Sequence, residues 1–152
     1  MNKQEKCILE TKDHMEKVRL LTKRLALSIM ERGECHDASK LVNPELPYFV
    51  KHTEKLSAST YGSDEYHETL SAIKPALDHH YATNRHHPEH YPDGIKGMNL
   101  VDIVELLCDW KASSTRHNDG NILKSIAINA KRFDMSDDLV AILQNTAELL
   151  EL

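Results

Sequence analysis

Glycine and proline are scarce in this chain, five of each in 152 residues, too few for a loop-rich or low-complexity protein. Aromatic residues make up only 5%, which suits helices packed on Leu, Ile, Val and Ala rather than a sandwich of strands. The three cysteines are an odd number at wide spacing. That excludes a disulfide framework and fits a reducing cytosol, so the expected location is cytoplasmic. No apolar run approaches the length that spans a bilayer, and Met1-Asn2-Lys3-Gln4-Glu5-Lys6 leads into a polar helix rather than a signal peptide. Positive charge is not in excess either: the formal net charge is −5, which argues against a nucleic-acid coat and against a membrane-surface helix. A small anionic substrate stays open, because bound cations reverse the local field. There is no internal repeat, and the length suits one domain, residues 1–152.

What the chain has in surplus is histidine. Ten are present against nineteen Lys plus Arg, and six of them fall between His67 and His90. The second chemical signal is Glu34-Cys35-His36-Asp37-Ala38-Ser39-Lys40. Adjacent residues on a helix point about 100° apart, so a single object reached by both His36 and Asp37 must sit at a helix end or turn. A metal ion is such an object, and a carboxylate has a second oxygen to offer a second ion. Cys35 precedes the pair but reads as buried and inert.

Periodicity predicts helices throughout. Residues 4–31 form a long amphipathic helix with His14, Val18, Leu21, Leu25 and Ile29 on one stripe, ended by Gly33. Taken alone, His14 reads as a core histidine bonded to a carbonyl. Asn43 and Pro44 suit the cap and first position of a helix that ends by Ser57, and Ala58–Gly62 reads as a loop. Ser63 caps a helix with Tyr66, Leu70, Ile73, Leu77 and His80 on one face, kinked or split by Pro75. His79 points away from that face, and His67 lies about 100° off it. Residues 84–94, Asn84-Arg85-His86-His87-Pro88-Glu89-His90-Tyr91-Pro92-Asp93-Gly94, form an irregular loop rich in donor atoms. Asn99 caps a nearly all-apolar helix through about Ser114 whose narrow polar arc holds Asp102, Glu105 and Asp109. That arc faces either solvent or something positive inside. Two supporting helices follow, Asn121 to Phe133 and one starting at Ser136 that carries Leu139, Ile142, Leu143, Leu149 and Leu150. The expected fold is therefore all-α.

The order of a first-helix His14, the pair His36-Asp37, the histidines at 79–90 and a late Asp109 resembles the HD-domain superfamily of metal-dependent phosphohydrolases. His14 lies 22 residues before His36, and His36-Asp37-Ala38-Ser39-Lys40 is similar to the His-Asp-x-x-Lys signature of that family. The likeness covers roughly residues 10–115, which would carry the metal site, with 120–152 as supporting C-terminal helices. The chain also resembles small bacterial and phage proteins that share the His-His-Pro-Glu-His run. The stretch 86–94 is faintly similar to the cyclic-dinucleotide phosphodiesterase branch but departs from it in order and spacing, so that specificity does not carry over.

The resemblance implies a single HD-domain-like bundle of about six helices. It implies one or two divalent ions, with Mn, Fe, Co, Mg, Ni and Zn all compatible. The implied ligands are His14, His36, Asp37 and Asp109, with Asp37 as the bridge, joined by His80 and then His87 or His86; His67 and His79 are weaker candidates. Asp37 and Lys40 would be catalytic, and Lys40, Arg85 and Lys111 would bind the substrate phosphate. His52, His90 and His117 read as surface or ordinary hydrogen-bonding residues. The implied activity is hydrolysis of a nucleotide or related phosphate ester by a metal-activated hydroxide. No Ser or Cys nucleophile motif or Gly-rich phosphate loop competes with that reading. Two other classes remain: an HD-type diiron oxygenase, and a non-catalytic protein that binds a nucleotide or metal. The expected partner is a small phosphate-containing anion, with no membrane, and a homodimer is compatible.

Overall fold

The computed structural model describes residues 1–58, 63–115 and 120–150, with the side chains of Leu56, Ser57 and Tyr66 left out. Residues 59–62 of the expected loop, the stripe position Tyr66 and His117 thus lie outside what is described. Among the described residues every regular element is helical: α1 (Lys3–Cys35), α2 (Leu46–Ala58), α3 (Asp64–Ala72), α4 (Lys74–Thr83), α5 (Leu100–Ser114), α6 (Ile122–Arg132) and α7 (Asp137–Leu149). Short 3-10 turns occupy Ala38–Leu41, Pro88–His90 and Gly94–Gly97. No helix among these is long and apolar enough to cross a membrane. The chain divides into two compact units, Met1–Cys35 and His36–Leu152.

The first unit is α1 alone. Its expected apolar stripe is present, but no residue of the helix is buried; Val18, Leu21 and Leu25 are 47%, 67% and 44% exposed. A helix that makes up a whole unit has nothing within that unit to cover its stripe, so the expectation of a buried His14 is corrected: His14 is exposed. Cys35 is exposed too, not buried. Gly33 does not end the helix, which runs on to Cys35. An interior glycine costs only about 1 kcal/mol relative to alanine, which a long helix tolerates.

In the second unit Asp37 adopts a left-handed backbone, φ 56°. Short polar side chains such as Asp enter that region more readily than others. The Asn43–Pro44 peptide is cis, and α2 begins at Leu46, so Pro44 is not the first helical residue as expected. Pro75 does split the next helix: α3 stops at Ala72, and α4 restarts with Pro75 in its first turn, where its missing N–H is harmless. This split accounts for seven helices where six were expected. Ile73, Ala76 and His80 follow at spacings of three and four and are all buried, which puts His80 on the inner face of α4.

Asn99 caps α5 with a reciprocal capping box, accepting from the backbone of Asp102 while the Asp102 carboxylate accepts from the backbone of Asn99. The core beneath joins Leu107 of α5 to Ile122 and Ile126 of α6 and Leu143 and Ala147 of α7, with Trp110 and Leu139 packed against it. Each large aliphatic buried there contributes about 1.5–3 kcal/mol. Ile142 and Leu149, also carried by α7, remain exposed.

Candidate metal centre

Four segments of the second unit deliver one cluster. The left-handed turn after α1 presents His36 and Asp37; the inner face of α4 presents His80; the loop behind it presents His86 and His87; and the polar arc of α5 presents Glu105 and Asp109. The loop is held by Asp102, which is fully buried and accepts from Arg85 Nε and Nη2, both at 3.2 Å, and from the Tyr91 hydroxyl at 2.7 Å. His90 Nδ1 donates to the Tyr81 carbonyl, and Arg132 reaches back to Glu89 at 2.7 Å. His86 and His87 are therefore fixed by a scaffold of polar contacts despite lying outside any α-helix.

Asp37 is the centre of the arrangement. Its Oδ1 lies 3.2 Å from His80 Nε2 and 3.6 Å from His86 Nε2, and His80 Nε2 lies 2.9 Å from His87 Nε2. One ligand atom from each of Asp37, His80, His86 and His87 lies within 4.8 Å of the other three. A tetrahedral site with bonds of 2.0–2.1 Å places its ligand atoms about 3.3 Å apart, so the spacing fits a shared cation. The other oxygen, Asp37 Oδ2, is 3.5 Å from His36 Nε2, which is itself 3.6 Å from Asp109 Oδ1. Lys40 Nζ donates to that same Oδ2 at 2.5 Å and also lies over the Phe49 ring.

The tautomers follow from the carboxylates behind the rings. Glu45 is fully buried and can only accept, so His79 Nδ1 at 2.7 Å and His80 Nδ1 at 2.9 Å must both donate to it. His36 donates its Nδ1 proton to Glu105 Oε1 at 3.0 Å, and His86 Nδ1 makes a close polar contact with the same oxygen, also at 3.0 Å. An imidazole that spends its one proton on Nδ1 turns a lone pair outward from Nε2. Consistent with that, Asp37 Oδ1 is buried and accepts no well-formed hydrogen bond among the described residues. Lone pairs converging on one buried point are unfavourable unless a cation lies between them.

Without a cation in place the charges differ from ring to ring. The Asp109 and Glu105 carboxylates pull the pKa of His36 up to about 10, against a smaller opposing effect of burial, so this ring holds protons on both nitrogens near neutral pH and would give up the one on Nε2 to a cation. Burial and the neighbouring His86 and His80 push His87 down to about 3, leaving it neutral. Burial works against ionisation of Asp37, but His80 and Lys40 outweigh it and hold the carboxyl well below the usual range. Asp109 is likewise lowered by His36 against the opposing burial, and Glu45 by His79, Ser39 and His80.

Of the expected site residues, the structure brings together His36, Asp37, Lys40, His80, His86, His87 and Asp109. His14 lies in the first unit, and the cluster just described is built from the second alone. Arg85 braces Asp102 and stacks over Tyr91, so its charge serves the loop. Lys111 sits half-buried two residues past Asp109 and has no contact with the cluster among the described residues. His79 backs Glu45, His67 is exposed on α3, and His90 makes an ordinary hydrogen bond as expected. His52 departs from its expected role: its Nδ1 is buried with no hydrogen-bond partner among the described residues. It borders a cleft of about 230 Å³ that Pro47, Tyr48, Lys51 and Ala72 also line and that shares no residue with the cluster. Glu45 gave no sign of its role in the sequence, whereas Glu105 was visible as part of the acidic arc.

Residues 3–149 match a protein family described as a family of unknown function, DUF5662. No curated protein and no solved structure matches the chain.

Proposed function

For a chain that belongs to DUF5662, a family without an assigned activity, we propose a metal-dependent phosphohydrolase acting on a nucleotide or related phosphate ester. The observation that carries the proposal is the convergence of Asp37, His80, His86 and His87, with Asp37 Oδ1 close to the Nε2 atoms of His80 and His86 and His80 Nε2 close to that of His87, next to a second set made of Asp37 Oδ2, His36 and Asp109. The resemblance of His36-Asp37-x-x-Lys40 and Asp109 to the HD-domain pattern supports the same reading. Three imidazoles around one carboxylate favour Mn, Fe, Co, Ni or Zn over Mg, which prefers oxygen ligands.

Such cations supply Lewis acidity, making a water nucleophilic near neutral pH and neutralising charge on phosphoryl oxygens. The residues of the chain do the rest. Asp37 spans both sets through its two oxygens and holds them at a fixed separation. Glu45 and Glu105 keep the rings in the tautomer that exposes Nε2. Lys40, tied to Asp37 Oδ2, is placed to exchange that contact for a phosphoryl oxygen. In the reaction the oxygen of one water forms a bond to phosphorus, the P–O ester bond breaks, and the water proton leaves with the alcohol.

The test is metal analysis of the purified chain, then a screen of nucleotides and cyclic nucleotides with Mn, Co, Zn and Mg. Phosphate release that disappears with chelator and returns with metal is the expected result. Turnover that needs iron and consumes oxygen would overturn hydrolysis in favour of oxygenation. Substrate recovered intact after long incubation with every metal would make the chain a binding protein.

A further inference from the structure

Two buried carboxylates stand one step behind the ligand atoms, and they are wired differently. Glu105 presents a single oxygen, Oε1, to His36 Nδ1 and His86 Nδ1, both at 3.0 Å. Those rings belong to different halves of the centre: His36 Nε2 approaches Asp37 Oδ2 and Asp109, while His86 Nε2 approaches Asp37 Oδ1. The two imidazoles also pack together, ring centroids 4.4 Å apart. Glu45 instead gives one oxygen to His80 and the other to His79, and so reaches one half only.

We propose that Glu105 is a positioning residue that couples the two halves of the centre, so that filling one orders the ligands of the other, whereas Glu45 serves only the half containing His80. The inference rests on the two-cation reading above. A carboxylate oxygen held 3.0 Å from two ring nitrogens cannot shift toward one ring without weakening its contact with the other. An ion that seats His36 therefore fixes Glu105 Oε1, and through it the direction of His86. The second ion then meets a ligand already turned toward it and avoids the ordering cost that the first one bore. Coupling of this kind requires reciprocity: whichever half fills first, the other gains the same factor.

The experiment is a Co²⁺ titration of the metal-stripped full chain, followed by calorimetry and by the visible absorption of the ion, for wild type, Glu105→Gln and Glu45→Gln. Wild type is expected to take up two ions with a Hill coefficient above one. Glu105→Gln should weaken both ions about 10–100-fold and abolish the cooperativity. Glu45→Gln should weaken one ion and leave the other at its wild-type affinity. A Glu105→Gln chain that keeps wild-type affinity at both sites, or loses only one, overturns the coupling and leaves the metalloenzyme reading standing. A wild type that binds no ion, or only one, overturns the two-cation reading and the coupling with it. Should Glu105→Gln not fold, imidazole nitrogen NMR of Zn²⁺-loaded wild type decides the matter. Nδ1–H tautomers at both His36 and His86 are expected, and an Nε2–H tautomer at either refutes it.

Discussion

Asp102 and Glu105 lie almost one turn apart on α5, both buried, yet they do opposite work. At the N-terminal end Asp102 accepts from Arg85, Tyr91 and the Asn99 backbone; every donor it meets is satisfied on the spot, and the product is a braced loop. In the middle of the same helix Glu105 accepts from His36 and contacts His86 Nδ1, and the other nitrogens of these rings are left aimed at Asp37. A closed polar network stabilises, whereas an open one reserves its lone pairs for something from outside. The contrast teaches how to separate architecture from chemistry within one acidic strip: follow each hydrogen bond outward and ask whether the chain of partners ends inside the protein.

That contrast can be broken at several points. The largest effect is expected at Asp37, where Asp37→Ala should strip the metal and lower hydrolysis by at least about 10³-fold, with far-UV circular dichroism unchanged. If metal content or activity survives, the open network is not a metal site. Asp102→Ala should do the reverse, costing about 1–3 kcal/mol in urea unfolding because it removes the buried acceptor shared by Arg85, Tyr91 and the Asn99 backbone and breaks the capping box. Its metal stoichiometry, measured on the folded fraction, should be that of wild type. Adding Zn²⁺ or Co²⁺ at one hundred times its dissociation constant should stabilise the wild type by about 2.7 kcal/mol, and Asp37→Ala not at all. Lys40→Ala should retain metal and raise KM about tenfold, about 1.4 kcal/mol of lost phosphate binding; an unchanged KM removes Lys40 from the site. At the small end, Lys74→Ala breaks an exposed pair with Asp78 (2.6 Å) and should shift stability by no more than about 0.5 kcal/mol.

Much of the cluster was legible because its residues are out of place by type. His80 stands on a stripe of Ile73 and Leu77, Asp109 stands with Asp102 and Glu105 on the narrow acidic arc of a mostly apolar helix, and His36-Asp37 sits where a helix has to end. Each is costly unless partnered, so its presence predicts a partner. Glu45 was illegible for the opposite reason. A glutamate beside a helix start is ordinary on any surface, and only the packing of α4 above it turns it into the acceptor of two imidazoles. The stripe of α1 shows the third case: periodicity identifies an amphipathic helix, but not whether anything covers it. His14 drew its expected burial from that stripe and lost it with the stripe. The helix split at Pro75 was predictable from covalent geometry alone, and the capping box at Asn99 needed only neighbours three residues apart.

The positive φ of Asp37 has a consequence for anyone redesigning this protein. The residue that reverses the chain is also the one that contributes both central oxygens, so conformation and charge cannot be varied independently with most of the amino-acid alphabet. Asparagine is the informative exchange, since it accepts the left-handed backbone and keeps one carbonyl oxygen while deleting the anion. Glycine keeps the bend and deletes the whole head group, and valine would forfeit both at once. A three-member panel at this single position thus separates what the bend contributes from what the oxygens contribute.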